Sequence, residues 1–346
     1  MEGKMLYSGK DLRKLIIPLI IEQILAIAVG MADTIMVSAA GEAAVSGVSL
    51  VDTVNILLIN VFSALATGGA VVSGHFLGKK KREDACKSAW QILLFATLLA
   101  FVISVIFITA HDPLLRLMFG KIEDDVMKAS KTYLIITTYS FVALAIYNSC
   151  AALFRAMNES KVTMWVSLLM NVINVVGNAI CIYGLHMGVA GVAIPTTISR
   201  YVAAVVIFLL MFQTKKEINL CGQITWKFNG SLIKKILYIA IPNGLENSMF
   251  QLGKILVMSA VATMGTSAIA ANAVTGTIAN WNNLPGFAIN LAIVSVVSVC
   301  VGAGKYDQAR YYTRRLCRDA MIGISCLSII LYLSAPILVT FFNLGP

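Results

Sequence analysis

Two carboxyl side chains lie in the first long apolar segment of the sequence. Glu22 and Asp33 are eleven residues apart, so on an α-helix they differ by only about 20° in azimuth and lie ~16 Å apart along the axis. A charge inside a membrane costs at least ~2.5–3.5 kcal/mol and calls for a partner, a cavity or a proton. A carboxyl pair on one face suits movement of a proton or a monovalent cation, although Glu22 could instead extend to the lipid headgroups.

Amide side chains form a second polar group within an apolar segment. Asn171, Asn174 and Asn178 lie in one such segment, and the last two share a helix face because they are four residues apart. Amide oxygens are hard ligands of the kind that alkali and alkaline-earth cations accept, and amide NH₂ groups can donate to a carboxylate. In an apolar helix the same residues could simply hold helices together. Both interpretations stay open at this point.

The remaining charged residues in apolar segments are more isolated. Lys254 follows Glu246 by eight residues, which places it about 80° round a helix and ~12 Å away, so direct pairing is poor. An ionic partner on a neighbouring helix stays open. For Arg200 a structural ion pair and a functional role are equally open. Asp52 lies near the outer end of its apolar segment, where we expect a solvated cap.

The amino-acid composition predicts the kind of structure that positions these polar side chains. Of the 346 residues 58% are hydrophobic and only 13% are charged, and the mean hydropathy is +0.83. Soluble domains carry about twice that charge, so this composition predicts an all-α integral membrane protein. Nine segments have the roughly 20 apolar residues that a membrane-spanning helix needs. The predicted spans are 15–39, 48–76, 89–110, 131–153, 162–184, 188–212, 236–263, 268–301 and 320–342.

The basic residues predict the orientation of the spans. The formal charge of +10 is concentrated in short clusters between apolar runs, which argues against nucleic-acid binding. The N-terminus and loops 77–88, 154–161, 213–235 and 302–319 hold 21 of the 27 Lys and Arg residues, and the opposite loops hold four. The positive-inside rule therefore predicts a multi-pass protein of the plasma membrane with a cytoplasmic N-terminus.

The sequence repeats itself at one constant offset. Pro18 coincides with Pro242, Glu22 with Glu246 and Gly78 with Gly302. Because this offset covers six predicted spans, an even number, both copies enter the membrane in the same direction. Parallel repeats of this kind are common in secondary transporters.

The repeat also predicts the domain organisation. We expect a six-helix lobe over residues 1–212, a cytoplasmic linker over 213–235 and a partial second lobe of three helices over 236–346. If the natural repeat is complete, the last three helices of the second copy are missing, through a shortened gene product or a fragment.

The motifs resemble those of the multidrug and toxic compound extrusion (MATE) family. Pro18 is followed fifteen residues later by Asp33-Thr-Ile-Met, and Gly78-Lys79 follows the second span. Phe154-Arg155 opens a loop similar to the family's Arg-containing loop, and Asn174 with Asn178 precedes a Gly- and Pro-containing stretch that reaches Thr196. The resemblance covers essentially the whole chain. It implies two six-helix bundles around a central cavity, of which this chain holds six helices plus three.

The resemblance also implies site residues. Asp33, Asn174 and Thr196 match family positions, and Asn178 stands where some members have a second aspartate. This set could bind Na⁺, or Asp33 could take and release a proton. Possible accessory or second-lobe residues complete the expected site: Glu22, Glu246, Lys254 and Arg200.

The function implied is export of organic, often cationic, small molecules by a Na⁺- or H⁺-coupled antiporter, working by alternating access in the lipid bilayer. We expect a monomer without a cofactor other than a coupling Na⁺.

One alternative is a lipid-linked oligosaccharide flippase, although only two basic residues lie within predicted spans. Another is a truncated membrane protein that does not transport. We do not expect an enzyme, because the three histidines stand apart from any nucleophile motif. Residue spacing does not distinguish Na⁺ from H⁺ and does not give the substrate.

Overall fold

The computed structural model describes residues 5–119, 123–222, 224–262 and 266–341, and every regular element in these ranges is helical. The helices, in chain order, are α1 Gly9–Ser38, α2 Glu42–Gly78, α3 Arg82–Thr109, α4 His111–Phe119, α5 Asp124–Thr138, α6 Phe141–Ala156, α7 Ser160–Ala179, α8 Ala190–Leu210, α9 Gly230–Ala262, α10 Thr266–Gly302 and α11 Tyr306–Phe341. A π-helical turn, Ile180–Gly184, extends α7. The predicted all-α membrane fold is therefore confirmed.

The number of spans differs from the nine expected. Within the described residues, seven helices are long and apolar enough to cross a membrane, and an eighth span results if α5 and α6 are counted together. The expected span 131–153 is this bent pair, whose axes meet at 49°. The expected span 236–263 lies in α9 but is not among the apolar spans. Residues 263 and 342, which end two expected spans, lie outside the described ranges.

Hydroxyl side chains explain the bend between α5 and α6. Thr137 and Thr138 donate to the backbone carbonyls of Tyr133 and Leu134, at 2.8 and 2.7 Å, and Ser140 donates to the carbonyl of Thr137 at 2.6 Å. Hydroxyls that bond back to the preceding turn compete with the helical hydrogen bonds and bend helices. Apolarity alone does not report this effect, so the predicted span 131–153 gave no sign of the bend.

Helix α9 is less apolar than a membrane span because polar residues recur along it. Asn243 and Asn247 are bonded to each other through their side chains at 2.9 Å, and Glu246 and Lys254 lie on the same helix. The helix has the length of a span, 33 residues, and it packs against α2. The predicted span 236–263 therefore lies in a helix long enough to cross a membrane, and the charged residues expected within it are present.

Helix α2 packs on several helices of the first part of the chain. This helix contacts α3, α5 and α6, while α1 packs on α7 and α7 packs on α8. The buried core includes Phe154, Leu153 and Ile207, none of them exposed. These contacts fix α1, α7 and α8, the three helices that carry most of the candidate site, against one another.

The two halves of the chain meet at one end of the bundle, which we call the basic end because the basic loops and residues 5–8 lie there. A Cβ atom added to Gly78 would lie 2.2 Å from the carbonyl oxygen of Val299, and one added to Gly302 would lie 2.3 Å from that of His75. His75 and Val299 are separated by the same offset as the two glycines. The same contact is therefore made twice, as expected for parallel repeats related by a pseudo-twofold axis.

The N-terminal segment ties the halves together at the same end. Ser8 and Asp11 form a capping box that starts α1. Just before it, the Tyr7 amide donates to the hydroxyl of Tyr312 at 3.0 Å, and that hydroxyl donates to the Tyr7 carbonyl at 2.7 Å. Tyr312 belongs to α11 and is fully buried, so residues 5–8 form a strap from the first half to the second.

The described part of the expected linker lies against α3. Arg82 donates to the backbone carbonyls of Thr214, Lys216 and Glu217, and the Trp90 indole donates to the carbonyl of Thr225 at 2.7 Å. The last residues of the expected linker already belong to α9, which begins at Gly230. The segment therefore joins the halves while it is held by α3.

Candidate functional site

A polar seam runs along the interface between α1 and α7. The buried face of α7 carries hydroxyl and amide residues at helical spacing, whereas its exposed face carries Trp165, Val172 and Val176. The polar residues of the buried face are Ser160, Thr163, Ser167, Asn171, Asn174 and Asn178. Because α1 packs directly on α7, this face receives the carboxyls that the sequence placed on one side of α1.

Asp33 meets the seam at the end opposite to the basic end. The Asn178 side-chain amide donates to Asp33 Oδ1 at 2.8 Å and lies 3.4 Å from Asn174 Oδ1. Asn174 in turn donates to the Thr196 hydroxyl on α8 at 2.9 Å. Asp33 is half-buried, and the other three residues are buried. The four predicted residues thus form one hydrogen-bonded chain across α1, α7 and α8.

The atoms of this chain suit a monovalent cation or a proton. Asp33 supplies the carboxylate, and the remaining side-chain oxygens are neutral. In the described part of the structure the buried Oδ1 of Asn178 has no hydrogen-bond partner, which is costly for a buried acceptor unless something occupies it. Oxygen ligands of this type fit Na⁺. The residues present therefore fit the predicted cation, and equally fit protonation of Asp33.

Glu22 meets the seam nearer the basic end, and it is paired. Its Oε1 accepts a hydrogen bond from Arg155 Nη1 on α6 at 3.1 Å, and its Oε2 accepts one from Thr163 Oγ1 at 3.0 Å. Glu22 is only 8% exposed, so the carboxyl does not extend to the lipid headgroups. The structure thus gives Glu22 an ion-pair partner that links α1, α6 and α7.

Arg200 and Asp52 form a second polar group beside Asp33. Asp52 Oδ1 accepts from the Tyr133 hydroxyl at 3.1 Å and from the Asn55 amide at 3.2 Å. Arg200 donates to the Ser140 hydroxyl at 2.8 Å and interacts electrostatically with both Asp33 and Asp52. Asp52 lies ten residues into α2 and is half-buried, so the expected solvated cap is wrong.

The second-half residues do not join this group. Glu246 lies on the exposed face of α9, and the Lys254 ammonium lies over the Phe250 ring, 4.9 Å from its centroid. Among the ion pairs of the described residues, none joins Glu246 to Lys254.

Sequence reasoning missed the partners of the acids. Arg155 was assigned to a loop, and Tyr133 and Thr163 were not singled out. Thr163 could have been found, because it lies on the same helical face as Asn171, Asn174 and Asn178. Arg155 and Tyr133 carry no such signal, since their partners are distant in sequence.

Within the described residues, seven or eight apolar spans and ionisable groups between helices define a multi-pass membrane protein, and such groups inside a membrane are typical of transport proteins. The MatE family model matches residues 18–180 and 242–346, and the chain belongs to this family. The two matched segments begin at Pro18 and Pro242, a pair of residues that the repeat aligns. The members of the family are transporters and not enzymes.

Curated relatives are longer than this chain. The uncharacterized transporter YisQ of Bacillus subtilis (strain 168) is 28% identical over 297 residues, which cover 84% of this chain and 64% of that protein. The probable multidrug resistance protein NorM of Thermotoga maritima is 24% identical over 341 residues, which cover 97% of this chain and 73% of NorM. The chain thus spans about two thirds to three quarters of the length of these relatives.

Solved structures show the same fold. An outward-facing multidrug resistance MATE transporter of the MOP superfamily matches with a TM-score of 0.89 at 21% identity, over 96% of this chain and 74% of that one. A MATE structure in a bent conformation matches with a TM-score of 0.86 at the same identity, over the same shares of the two chains. At this identity the likeness concerns the arrangement of helices alone.

Proposed function

We propose that this protein is a cation-coupled exporter of organic, often cationic, small molecules that works by alternating access. The single observation that carries the proposal is the chain from Asp33 through Asn178 and Asn174 to Thr196, which joins three helices of the first lobe. A cation or proton bound at Asp33 changes the polar contact between α1 and α7, and thereby changes how α1 packs. Coupling then requires only that the cation and the substrate prefer different conformations.

The orientation and organisation belong to the same proposal. The basic end is the cytoplasmic end, and the N-terminus lies there. Residues 1–212 form the lobe with the cation site, residues 213–235 form the linker, and residues 236–346 belong to the second lobe. The working unit is a monomer, and Na⁺ or H⁺ is co-substrate rather than a resident cofactor.

The test is transport by the purified protein in proteoliposomes. A fluorescent cationic dye is the probe, and a Na⁺ gradient and a pH gradient are imposed separately. We expect one gradient to drive dye movement and Asp33→Asn to abolish it, because the amide cannot be deprotonated. Asp124→Asn, an exposed carboxyl at the start of α5, is the matched control and is expected to transport normally. Gradient-driven transport by Asp33→Asn at the normal rate would reject the role of Asp33.

A further inference from the structure

A cavity of about 470 Å³ opens at the basic end, between the last turn of α2 and the first turns of α9. Lysine side chains surround its mouth: Lys79 from α2's C-cap, and Lys234 and Lys235 from α9. All three residues are exposed. The cavity therefore lies at the junction of the two halves and is accessible from outside the bundle.

The described residues do not compensate the charge of the cavity. None of the described residues that line it is acidic, and among the ion pairs of the described residues none involves Lys79, Lys234 or Lys235. The first turn of the 33-residue helix α9 adds the positive end of the helix dipole, and Ser231 adds a hydroxyl. Lysines, a helix N-terminus and a hydroxyl together favour a phosphate-bearing anion.

The other wall of the cavity is apolar and continues along the helix surface. Phe76 lines the cavity on α2, and Tyr238 lines it on α9 with 82% of its surface exposed. Ile241 and Leu245 follow Tyr238 on the same face of α9 and are 54% and 60% exposed. A tyrosine at this level is typical of a membrane interface, and the apolar row beyond it extends toward the hydrocarbon region.

We propose that this cavity binds the headgroup of an acidic phospholipid whose acyl chain lies along Tyr238, Ile241 and Leu245. A phosphate without chains would use only the basic mouth, whereas a phospholipid uses both parts. Basic pockets between membrane helices on the cytoplasmic side bind acidic headgroups in this manner. Because Lys79 comes from the first half and Lys234 and Lys235 from the second, the lipid connects both halves of the chain. The inference needs membrane residence and a basic cytoplasmic end, but it does not depend on Asp33.

Lipid binding is measured on the whole purified chain in neutral detergent, by native mass spectrometry. The probe is dioctanoyl phosphatidylglycerol, with dioctanoyl phosphatidylcholine as the neutral lipid and glycerol phosphate as the headgroup without chains. We expect one phosphatidylglycerol to bind saturably, and both other probes to bind much more weakly. Each lysine contributes about 1 kcal/mol to the binding of an anionic headgroup, so the three lysines together raise the affinity roughly 100-fold.

Matched triple variants separate a site from general attraction. The variant Lys79→Gln, Lys234→Gln, Lys235→Gln removes the basic mouth. The control Lys10→Gln, Lys14→Gln, Lys161→Gln removes the same charge from exposed residues outside the cavity. We expect the first variant to lose roughly 100-fold in affinity for phosphatidylglycerol and the control to lose little. Exposed lysines rarely support folding, so unchanged thermal unfolding in phosphatidylcholine is expected of both.

Three results would overturn the proposal. Equal weakening by both triple variants would indicate diffuse charge attraction rather than a site. Glycerol phosphate that binds as tightly as phosphatidylglycerol would indicate a free-anion site, and phosphatidylcholine that binds equally well would remove the role of charge.

Discussion

The contact between Gly78 and the α10 backbone predicts how a single methyl group changes the state of the protein. A Cβ at residue 78 would lie 2.2 Å from the Val299 carbonyl oxygen and 2.6 Å from the Ala303 nitrogen. Ordinary contacts of a Cβ are 3.4 Å or longer, so in Gly78→Ala the two backbones must move apart until that distance is reached. Backbone atoms cannot rotate away as a side chain can, and the basic end must therefore open.

The cost follows from the size of the clash. Overpacking a close contact typically costs about 1–3 kcal/mol, which corresponds to a shift of about 5- to 150-fold in a two-state equilibrium. Gly244→Ala is the matched control, because its Cβ would meet only the Ala64 side chain, at an ordinary 3.5 Å. Both substitutions raise intrinsic helix propensity, so helix propensity alone does not distinguish the two variants.

A native thiol reports the opening. Cys300 is fully buried where α10 packs on Leu12, Leu15 and Leu19 of α1, and it lies close to the contact in sequence. We expect N-ethylmaleimide to modify Cys300 about 5- to 150-fold faster in Gly78→Ala than in the native protein, as quantified by peptide mass spectrometry. Cys150, buried within the first half, should stay unmodified in every sample. Equal rates of Cys300 modification in Gly78→Ala, Gly244→Ala and the native protein would show that the contact at Gly78 does not keep the basic end closed.

Three further contacts give separate predictions. Glu22→Gln leaves Arg155 without its counterion and should lower the free energy of unfolding by about 3–5 kcal/mol. Adding Arg155→Met should restore much of this stability, as measured by thermal unfolding. An equal loss of stability in the single and double variants would contradict the pairing. Tyr312→Phe removes two hydrogen bonds to Tyr7 and should weaken the attachment of the strap by about 1–3 kcal/mol. We expect faster hydrogen exchange over residues 5–8, and unchanged exchange would show that these bonds do not hold the strap. Trp90→Phe removes one hydrogen bond to the linker, worth about 1 kcal/mol, and should speed proteolysis within 213–229. An unchanged cleavage rate would show that Trp90 does not hold the linker.

The parts of the site that lie on one helix could be predicted from the sequence. Helical geometry places Glu22 and Asp33 on one side of α1, and a four-residue spacing places Asn174 and Asn178 together on α7. The structure brings Asp33 and Asn178 into contact at 2.8 Å. Periodicity suffices here because the relevant angle is set by the helix and not by packing.

Contacts between distant helices could not be predicted in this way. Glu22 and Arg155 are 133 residues apart, and Asp52 and Tyr133 are 81 apart. Their meeting depends on which faces of α1, α2, α5 and α6 pack together, which composition does not determine. The bend at Ser140 was missed for a related reason, since hydroxyl bonds to the preceding turn depend on local rotamers.

The most direct test of the central claim is dye transport in proteoliposomes under a Na⁺ gradient and, separately, a pH gradient, with the native protein and with Asp33→Asn. We expect that one gradient drives transport by the native protein and by Asp124→Asn, and that neither gradient drives it in Asp33→Asn. Transport by Asp33→Asn at the native rate, under the gradient that drives the native protein, would show that Asp33 does not couple the cation to export.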